Sequence, residues 1–147
     1  MHITLESDYA IRIIIFLLQY GKRADAKKIA ENTQVTLRFS LKILRKLAAA
    51  GLVRSYKGAS GGYEAAKKPE EISLADIMEV IEGTYCLSRC LESHDNCAHE
   101  GEGCCKVRQA FGEISEMVRQ KLSETTFDKL ICGGCGRPFE QEPVSKE

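Results

Sequence analysis

Cys90, Cys97 and Cys105 lie within one short polar stretch of this 147-residue chain. The residues between them include two glycines, His94 and His99, and hardly any large apolar side chain. Such a segment has little means of packing itself, so a bound group is expected to order it. Thiolates with neighbouring imidazoles are the ligands that iron–sulfur clusters and zinc use. The stretch is therefore a candidate metal site.

The chain has seven cysteines, an odd number that fits poorly with a closed set of disulfide bonds. No apolar run is long enough to span a membrane. Glu6, Asp8 and Arg12 precede or interrupt the most apolar stretch, which argues against a signal peptide. A cytoplasmic protein is expected, and stable disulfides are rare in that compartment. Metal binding or redox sensing is thus favoured over structural disulfides.

Charge divides the chain into two unlike halves, although its formal net charge is zero. Residues 1–68 contain thirteen Lys and Arg against five Asp and Glu, and residues 69–147 contain eight against sixteen. The first half therefore carries +8 and the second half −8. This asymmetry predicts that only the first half contacts a polyanion.

The first half has the pattern of three short helices. Apolar residues recur at helical spacing over 3–20, and Gly21 follows them as a C-terminal stop. A second helix is predicted over 26–32, and Thr36 is placed to cap a third that ends near Gly51. The residues of this third helix predicted to face the core are Phe39, Ile43, Leu44 and Leu47.

Two extended segments follow the helices, over 52–57 and 63–66, around a glycine-rich turn. They predict a β-hairpin in which Tyr56 and Tyr63 pair across the strands. A helix pair followed by a small hairpin is a winged helix-turn-helix, whose second helix enters the DNA major groove. The predicted fold class is therefore mainly α, with a β-hairpin wing and a long dimerisation helix.

The second half of the chain predicts a short helix and a long one. Ser73 and Asp76 form a capping box for a helix over 74–82, which Gly83 ends. A helix over 105–127 would be about 33 Å long. Its apolar stripe is wide enough for a partner helix, which predicts a homodimer. The stripe consists of Val107, Phe111, Ile114, Val118, Leu122 and Thr125.

These patterns predict a winged helix-turn-helix domain over 1–68, a cysteine-loop and dimerisation region over 69–131, and a flexible tail over 132–147. The tail holds Cys132 and Cys135 at the spacing of a thioredoxin-like redox centre, so a thiol–disulfide oxidoreductase is the enzyme-class alternative. That centre requires a strand before the motif and a helix starting at it. Here a predicted helix precedes the pair, which favours a protein that is not an enzyme.

A set of short motifs runs through the chain in a fixed order. They are Tyr9-Ala-Ile-Arg, Lys28-Ile-Ala-Glu, Leu44-Arg-Lys-Leu, Ala50-Gly-Leu-Val, Lys57-Gly-Ala-Ser-Gly-Gly-Tyr63, Pro69-Glu-Glu-Ile-Ser-Leu-Ala-Asp-Ile and Ile81-Glu-Gly. Together, over residues 1 to about 131, they resemble the dimeric winged-helix regulators that include IscR, NsrR, RirA and CymR. The resemblance implies a homodimeric transcription regulator that binds a palindromic DNA operator.

Several members of that family hold an iron–sulfur cluster through three cysteines of this loop, and the resemblance gives this role to Cys90, Cys97 and Cys105. Choosing Cys105 rather than Cys104 keeps the family's register in the following helix. IscR-like members carry a histidine three residues after the third cysteine, where this chain has Arg108. We therefore expect a 4Fe-4S cluster rather than a 2Fe-2S cluster, with one iron left to another ligand.

That further ligand is expected to be the partner subunit's Asp8, because NsrR-like members carry a cluster-completing aspartate at this position. His94 and His99 are the rival ligands, and a first-turn carboxylate favoured by the helix dipole is a simpler role for Asp8. Two alternatives to a cluster remain. One is zinc held by three cysteines and a histidine, and the other is a thiol switch with Cys104 or Cys86 as resolving cysteine.

The sequence thus predicts a DNA-binding regulator that senses iron, oxygen, nitric oxide or sulfur status. Its candidate base and phosphate contacts lie near the exposed start of the recognition helix and are Thr36, Arg38, Ser40 and Lys42. Lys57 and Ser60 are expected at the tip of the wing. The recognition-helix glutamate typical of IscR corresponds here to Leu41, so an IscR-type operator is not implied.

Overall fold

The computed structural model of the protein describes residues 2–92 and 105–131. The fold is mainly helical with one two-stranded hairpin, as the sequence predicts. The helices are α1 (Leu5–Tyr20), α2 (Ala26–Thr33), α3 (Leu37–Ala49), α4 (Leu74–Glu82), α5 (Lys106–Glu124) and α6 (Phe127–Leu130), and strands β1 (Val53–Tyr56) and β2 (Gly62–Ala65) lie between α3 and α4. No helix in these two ranges is long and apolar enough to cross a membrane.

Local capping sets the ends of the first three helices. Thr4, Asp25 and Thr36 cap α1, α2 and α3, and each side chain accepts a hydrogen bond from the backbone N–H three residues later. Gly21 ends α1 in the left-handed conformation. Gln34 ends α2 in the same conformation, with φ of 57°. The turn between α2 and α3 is therefore short, as a helix-turn-helix requires.

One apolar core joins the two halves of the chain. Its fully buried members include Ile13, Phe16, Ile29, Ile43, Leu44, Leu47, Ile72, Ile77 and Phe127. Burying one such side chain stabilises the fold by about 1.5–3 kcal/mol. Because Ile72, Ile77 and Phe127 come from the second half, residues on both sides of position 68 share this core.

The long helix is shorter than its sequence pattern predicts. α5 ends at Glu124, three residues before the expected end at Phe127. The backbone N–H of Leu74 donates to the Thr125 carbonyl at 3.0 Å, and that of Phe127 donates to the Ile72 carbonyl at 2.9 Å. The chain therefore turns back along the residues that precede α4. This turn buries Phe127 completely, and that burial decides against a continuous helix.

The hairpin register differs from the predicted one. Tyr56 lies opposite Gly62, and Tyr63 lies opposite Ser55. The predicted pairing of the two tyrosines is therefore wrong, and their rings lie on opposite faces of the hairpin. The backbone of Tyr63 also pairs with Ala24 through hydrogen bonds of 2.8 and 2.9 Å. Gly62 permits this approach, because a Cβ there would be 2.6 Å from the Ala24 carbonyl oxygen.

Candidate functional site

The exposed face of α3 carries basic side chains around an apolar hollow. The residues that line the hollow are Thr36, Leu37, Arg38, Phe39, Leu41, Lys42 and Arg45. Arg38, Lys42 and Arg45 are exposed. An apolar floor with a cationic rim suits a surface that presents apolar groups between anionic ones, as a nucleic-acid groove does.

Ser40 is a correction to the predicted set of contacts on α3. Its side chain is fully buried, and its hydroxyl has no hydrogen-bond partner among the described residues. The reason is helical period: Ser40 begins the buried stripe that continues through Ile43, Leu44 and Leu47. The sequence contained this signal. A polar residue type alone therefore did not identify a surface position.

Thr36 and Arg38 remain candidates for contact. Thr36 is exposed, and its hydroxyl accepts a hydrogen bond from the Phe39 N–H at 3.4 Å, so it fixes the start of α3. Arg38 is exposed in the first turn of the helix. Both lie at the end of α3 that a recognition helix presents to base edges.

Glu6 of α1 holds two lysines of α3. Its carboxylate oxygens lie 2.9 Å from Lys42 Nζ and 2.7 Å from Lys46 Nζ. Hydrogen bonding from Lys46, and then from Lys42, keeps the pKa of Glu6 below its ordinary value. Lys42 is therefore ion-paired in the free protein, and a phosphate would compete with Glu6 for it. The sequence alone does not identify Glu6 as a partner of these lysines, because no local pattern links it to a helix more than thirty residues away.

The wing is anchored by Arg23, another residue that the sequence did not single out. Arg23 Nη1 donates to the Ser60 carbonyl at 3.1 Å, and the guanidinium lies 3.5 Å above the Tyr56 ring. Lys57 and Ser60 are exposed at the turn, as predicted. The only sequence signal for Arg23 is its place in the basic loop after α1. Its contacts tie the turn to the loop between α1 and α2.

Two of the three predicted cluster ligands lie within the described residues. Cys90 is half-buried in the 3-10 turn Arg89–Leu91, and its Sγ lies 3.2 Å from the Ser88 hydroxyl. Cys105 is the exposed N-cap of α5. The turn packs on α5, since a Cβ on Gly112 would be 3.6 Å from Leu91 Cδ2. The two thiols are thus carried by elements that touch each other.

These two thiols fit a cluster or zinc site in their chemistry. Both are free cysteines, and an anionic ligand at Cys105 is stabilised by the N-terminal end of the α5 dipole. Within 2–92 and 105–131, no three His, Cys, Asp or Glu side chains are grouped closely enough to hold a metal. The other predicted participants lie outside the described residues: Cys97, Cys104, Cys132, Cys135, His94 and His99.

The segment between α4 and Cys90 is tied to α5. Arg119 Nη1 donates to the Tyr85 carbonyl at 2.8 Å. The Leu87 N–H donates to the hydroxyl of buried Ser115 at 2.9 Å, and this hydroxyl donates to the Phe111 carbonyl at 2.7 Å. The backbone that leads to Cys90 is therefore held against the middle of α5.

Glu82, the last residue of α4, closes onto the first turn of α1. Its Oε1 accepts hydrogen bonds from the Thr4 N–H at 3.0 Å, from the Thr4 hydroxyl at 2.9 Å and from the Ser7 hydroxyl. Burial acts to raise the pKa of Glu82, but the hydrogen bonds from Ser7 and Thr4 outweigh it and leave the pKa below its ordinary value. The start of the cysteine segment is thereby joined to α1.

Asp8 lies on the same first turn of α1. Its Oδ2 is 2.7 Å from Arg12 Nη2, and 39% of its side chain is exposed. Asp8 is therefore an ion-paired surface residue. Its carboxylate is partly accessible to groups outside this chain.

The outer face of α5 is apolar and uncovered in a single chain. Val107, Phe111, Ile114 and Met117 are between 36% and 69% exposed. Ser115 is the buried residue of this helix. An exposed apolar face of this kind is a candidate contact surface for another protein.

Comparison with known proteins gives one consistent result. The sequence model of a family described as Rrf2, iron-dependent transcriptional regulators, matches residues 3–133. Protein rrf2 of Nitratidesulfovibrio vulgaris is 28% identical over 133 residues, which are 89% of this chain and 87% of that protein. The transcriptional regulator NsrR of Shouchella clausii is 25% identical over 133 residues, 89% of each chain.

The fold is also similar to solved structures. The structure of CymR, the global cysteine regulator of B. subtilis, matches with a TM-score of 0.69 and 25% identity. The match covers 89% of this chain and 96% of that one. The arrangement of three helices, hairpin, short helix and long helix is therefore that of winged-helix regulators.

Proposed function

The chain belongs to the Rrf2 family of transcriptional regulators, and we propose that it is a homodimeric, sequence-specific DNA-binding regulator whose operator affinity responds to an iron–sulfur cluster. Family membership makes the protein a transcription regulator rather than an enzyme, as its sequence predicts. The observation that carries the proposed mode of binding is the cationic, exposed face of α3 beside an anchored wing. We place this activity in the cytoplasm, because bacterial transcription regulators such as its relatives meet chromosomal DNA there.

DNA binding would use the basic half of the chain. α3 enters the major groove, where Thr36, Arg38 and Lys42 contact base edges and phosphates. Lys57 and Ser60 reach backbone or minor groove from the wing. Two copies related by a two-fold axis present two such surfaces, which fits a palindromic operator.

Lys57→Ala is expected to weaken operator binding and to flatten its salt dependence. One lost phosphate contact reduces the slope of log K against log salt by about 0.9. Fluorescence anisotropy titrations between low and moderate salt measure both quantities. Lys129→Ala, an exposed lysine of the acidic half, is the control and should leave the slope unchanged. An unaltered slope and affinity in Lys57→Ala would show that the wing does not contact the DNA.

Cys90, Cys97 and Cys105 would hold the cluster, with the partner subunit's Asp8 as the further ligand. When bound, a 4Fe-4S cluster would supply an iron that small molecules such as nitric oxide or oxygen can reach. The chain's own part is to order the 90–105 segment and the start of α5 around these ligands. Zinc in the same thiolates, or a thiol switch without metal, remains the alternative.

Contacts among the described residues offer a route from the cysteine segment to the DNA-binding surface. The stretch that leads to Cys90 begins after Glu82, the last residue of α4. Glu82 holds the first turn of α1 through Thr4 and Ser7. Glu6 in the same turn holds Lys42 and Lys46 of α3. A change in the order of the segment would thus alter the position of α3 and of the wings across the dimer, and with it the half-site spacing that fits.

Glu82→Gln is expected to lower the free energy of unfolding by at most about 1 kcal/mol at neutral pH. The hydrogen bonds from Thr4 and Ser7 lose a charged acceptor, but solvent screens this exposed carboxylate and reduces the effect. The pKa of Glu82 is lowered in the folded protein, so this stabilisation is complete above the ordinary value of 4.5 and is lost as the pH falls through the lower folded value. Urea unfolding at pH 7 and at a series of acidic pH values measures the difference from wild type, which should shrink on acidification. Glu79→Gln, an exposed residue of the same helix, is the control, and equal effects of the two substitutions would contradict the role of Glu82.

Asp8→Ala is expected to retain three-cysteine ligation but to yield a labile cluster. Loss of a ligand should speed cluster decay on the order of tenfold or more and alter its reaction with nitric oxide or oxygen. Stopped-flow absorption and resonance Raman spectra of anaerobic protein follow both properties. Wild-type spectra and reactivity in Asp8→Ala, together with cluster loss in His94→Ala or His99→Ala, would reassign the ligand.

Two measurements on anaerobically purified protein test the proposal as a whole. Iron and sulfide quantification with Mössbauer spectroscopy should give four irons per chain, whereas two irons would reverse the expected cluster type. A colourless protein with bound zinc would favour the structural-zinc alternative. Selection from a random DNA pool should enrich one palindromic sequence. Failure to enrich any sequence, with and without the cluster, would defeat the DNA-binding role.

A further inference from the structure

Two leucines on the exposed face of α3 are not explained by the packing of the chain. Leu37 is 46% exposed and Leu41 is half-buried, and both line the hollow on this helix. They are four residues apart, so they lie one turn above the other on the same face. Burial of such side chains would stabilise the protein, and a partly exposed pair of them marks a contact surface.

Basic side chains border this leucine pair. Arg38 follows Leu37 and Lys42 follows Leu41 along the chain, and Arg45 lies one turn after Leu41. All three basic residues are exposed. This rim fits an occupant that presents apolar groups between negative charges. Charge complementarity therefore favours nucleic acid over an apolar protein surface.

The apolar group that base pairs display in the DNA major groove is the C5-methyl group of thymine. Resting on the proposed role of α3 as the recognition helix, we propose that Leu37 and Leu41 contact thymine methyl groups and select thymine at two neighbouring operator positions. Arg38 and Lys42 then supply the polar contacts on either side. The leucines provide sequence selectivity without hydrogen bonds.

The methyl group can be removed without changing any hydrogen-bonding group of the base. Replacing one thymine by deoxyuridine deletes only the C5-methyl group. For each contacted thymine this should weaken binding about fourfold, because the burial of one methyl group is lost. Thymines outside the two positions should tolerate the replacement.

The test uses the operator enriched by the full-length wild-type dimer, with each thymine of a half-site replaced singly by deoxyuridine. Dissociation constants at fixed salt are measured for wild type, Leu37→Ala and Leu41→Ala. Wild type should be sensitive at two neighbouring positions, and each variant should lose the sensitivity at one of them. Leu5→Ala removes a 62% exposed leucine of α1 and should keep the whole wild-type profile.

The outcomes separate this inference from the proposed function. An enriched operator whose half-sites lack thymine, or wild-type binding indifferent to every deoxyuridine, overturns the methyl contact and leaves the regulator role intact. Variants that lose affinity but keep both sensitivities overturn the assignment to these leucines. Failure to enrich any operator overturns the methyl contact and the proposed function together.

Discussion

Cys90→Ser and Cys97→Ser are each expected to abolish the iron–sulfur cluster that we propose for this chain and to leave the proposed homodimer folded. A serine hydroxyl is a much weaker ligand for cluster iron than a thiolate. The fold should persist because Cys90 lies outside the buried core that joins α1, α3 and α4. Operator affinity should change at least about tenfold, a coupling within the usual range for linked sites. Visible absorption, circular dichroism and anisotropy titration measure the three effects.

The cysteines also provide matched controls. Cys86→Ser changes a half-buried thiol beside Arg119 and should keep the visible absorption band of the cluster. The adjacent pair Cys104 and Cys105 is a sharper comparison, because only Cys105→Ser should remove the cluster. A band that survives Cys90→Ser would exclude that residue as a ligand. Equal operator affinity of the cluster-free variant and the holo protein would show that the two sites are uncoupled.

Ile114→Glu is expected to convert the proposed homodimer to monomers and to reduce operator affinity by two orders of magnitude or more. Ile114 is 44% exposed at the centre of the apolar face of α5, between Phe111 and Met117. A two-fold interface contains every residue twice, so the substitution buries two unpaired carboxylates in it. The loss of affinity follows because separate monomers each bind one half-site without the gain from linkage. Sedimentation equilibrium measures the association directly.

Ser123→Glu adds the same charge to another face of α5. Its hydroxyl donates to the Arg119 carbonyl at 3.0 Å, and a glutamate there lies one turn from the Arg119 side chain. This variant should remain dimeric and bind the operator normally. Dissociation of both variants would point to a general sensitivity of the helix to charge. A dimeric Ile114→Glu protein would mean that the apolar face is covered in another way.

The sequence by itself determined the elements of the fold. The caps at Thr36 and at Ser73 with Asp76, and the stop at Gly83, lie where the chain pattern predicts them. These signals act between residues three or four positions apart, so they are readable without knowing the fold. The cysteine-rich segment was likewise recognisable from residue type and spacing. The resemblance to a regulator family added the expected ligands.

Contacts between distant residues were decided only by the tertiary structure. The ion pairs of Glu6 with α3, the closure of Glu82 on α1 and the anchoring of the wing by Arg23 each join residues more than thirty positions apart. The end of α5 depends on the burial of Phe127, which the local pattern does not contain. Helical period and capping constrain neighbours along the chain. Which side chains meet across helices depends on how the buried stripes pack, and that packing is fixed only when the whole core forms.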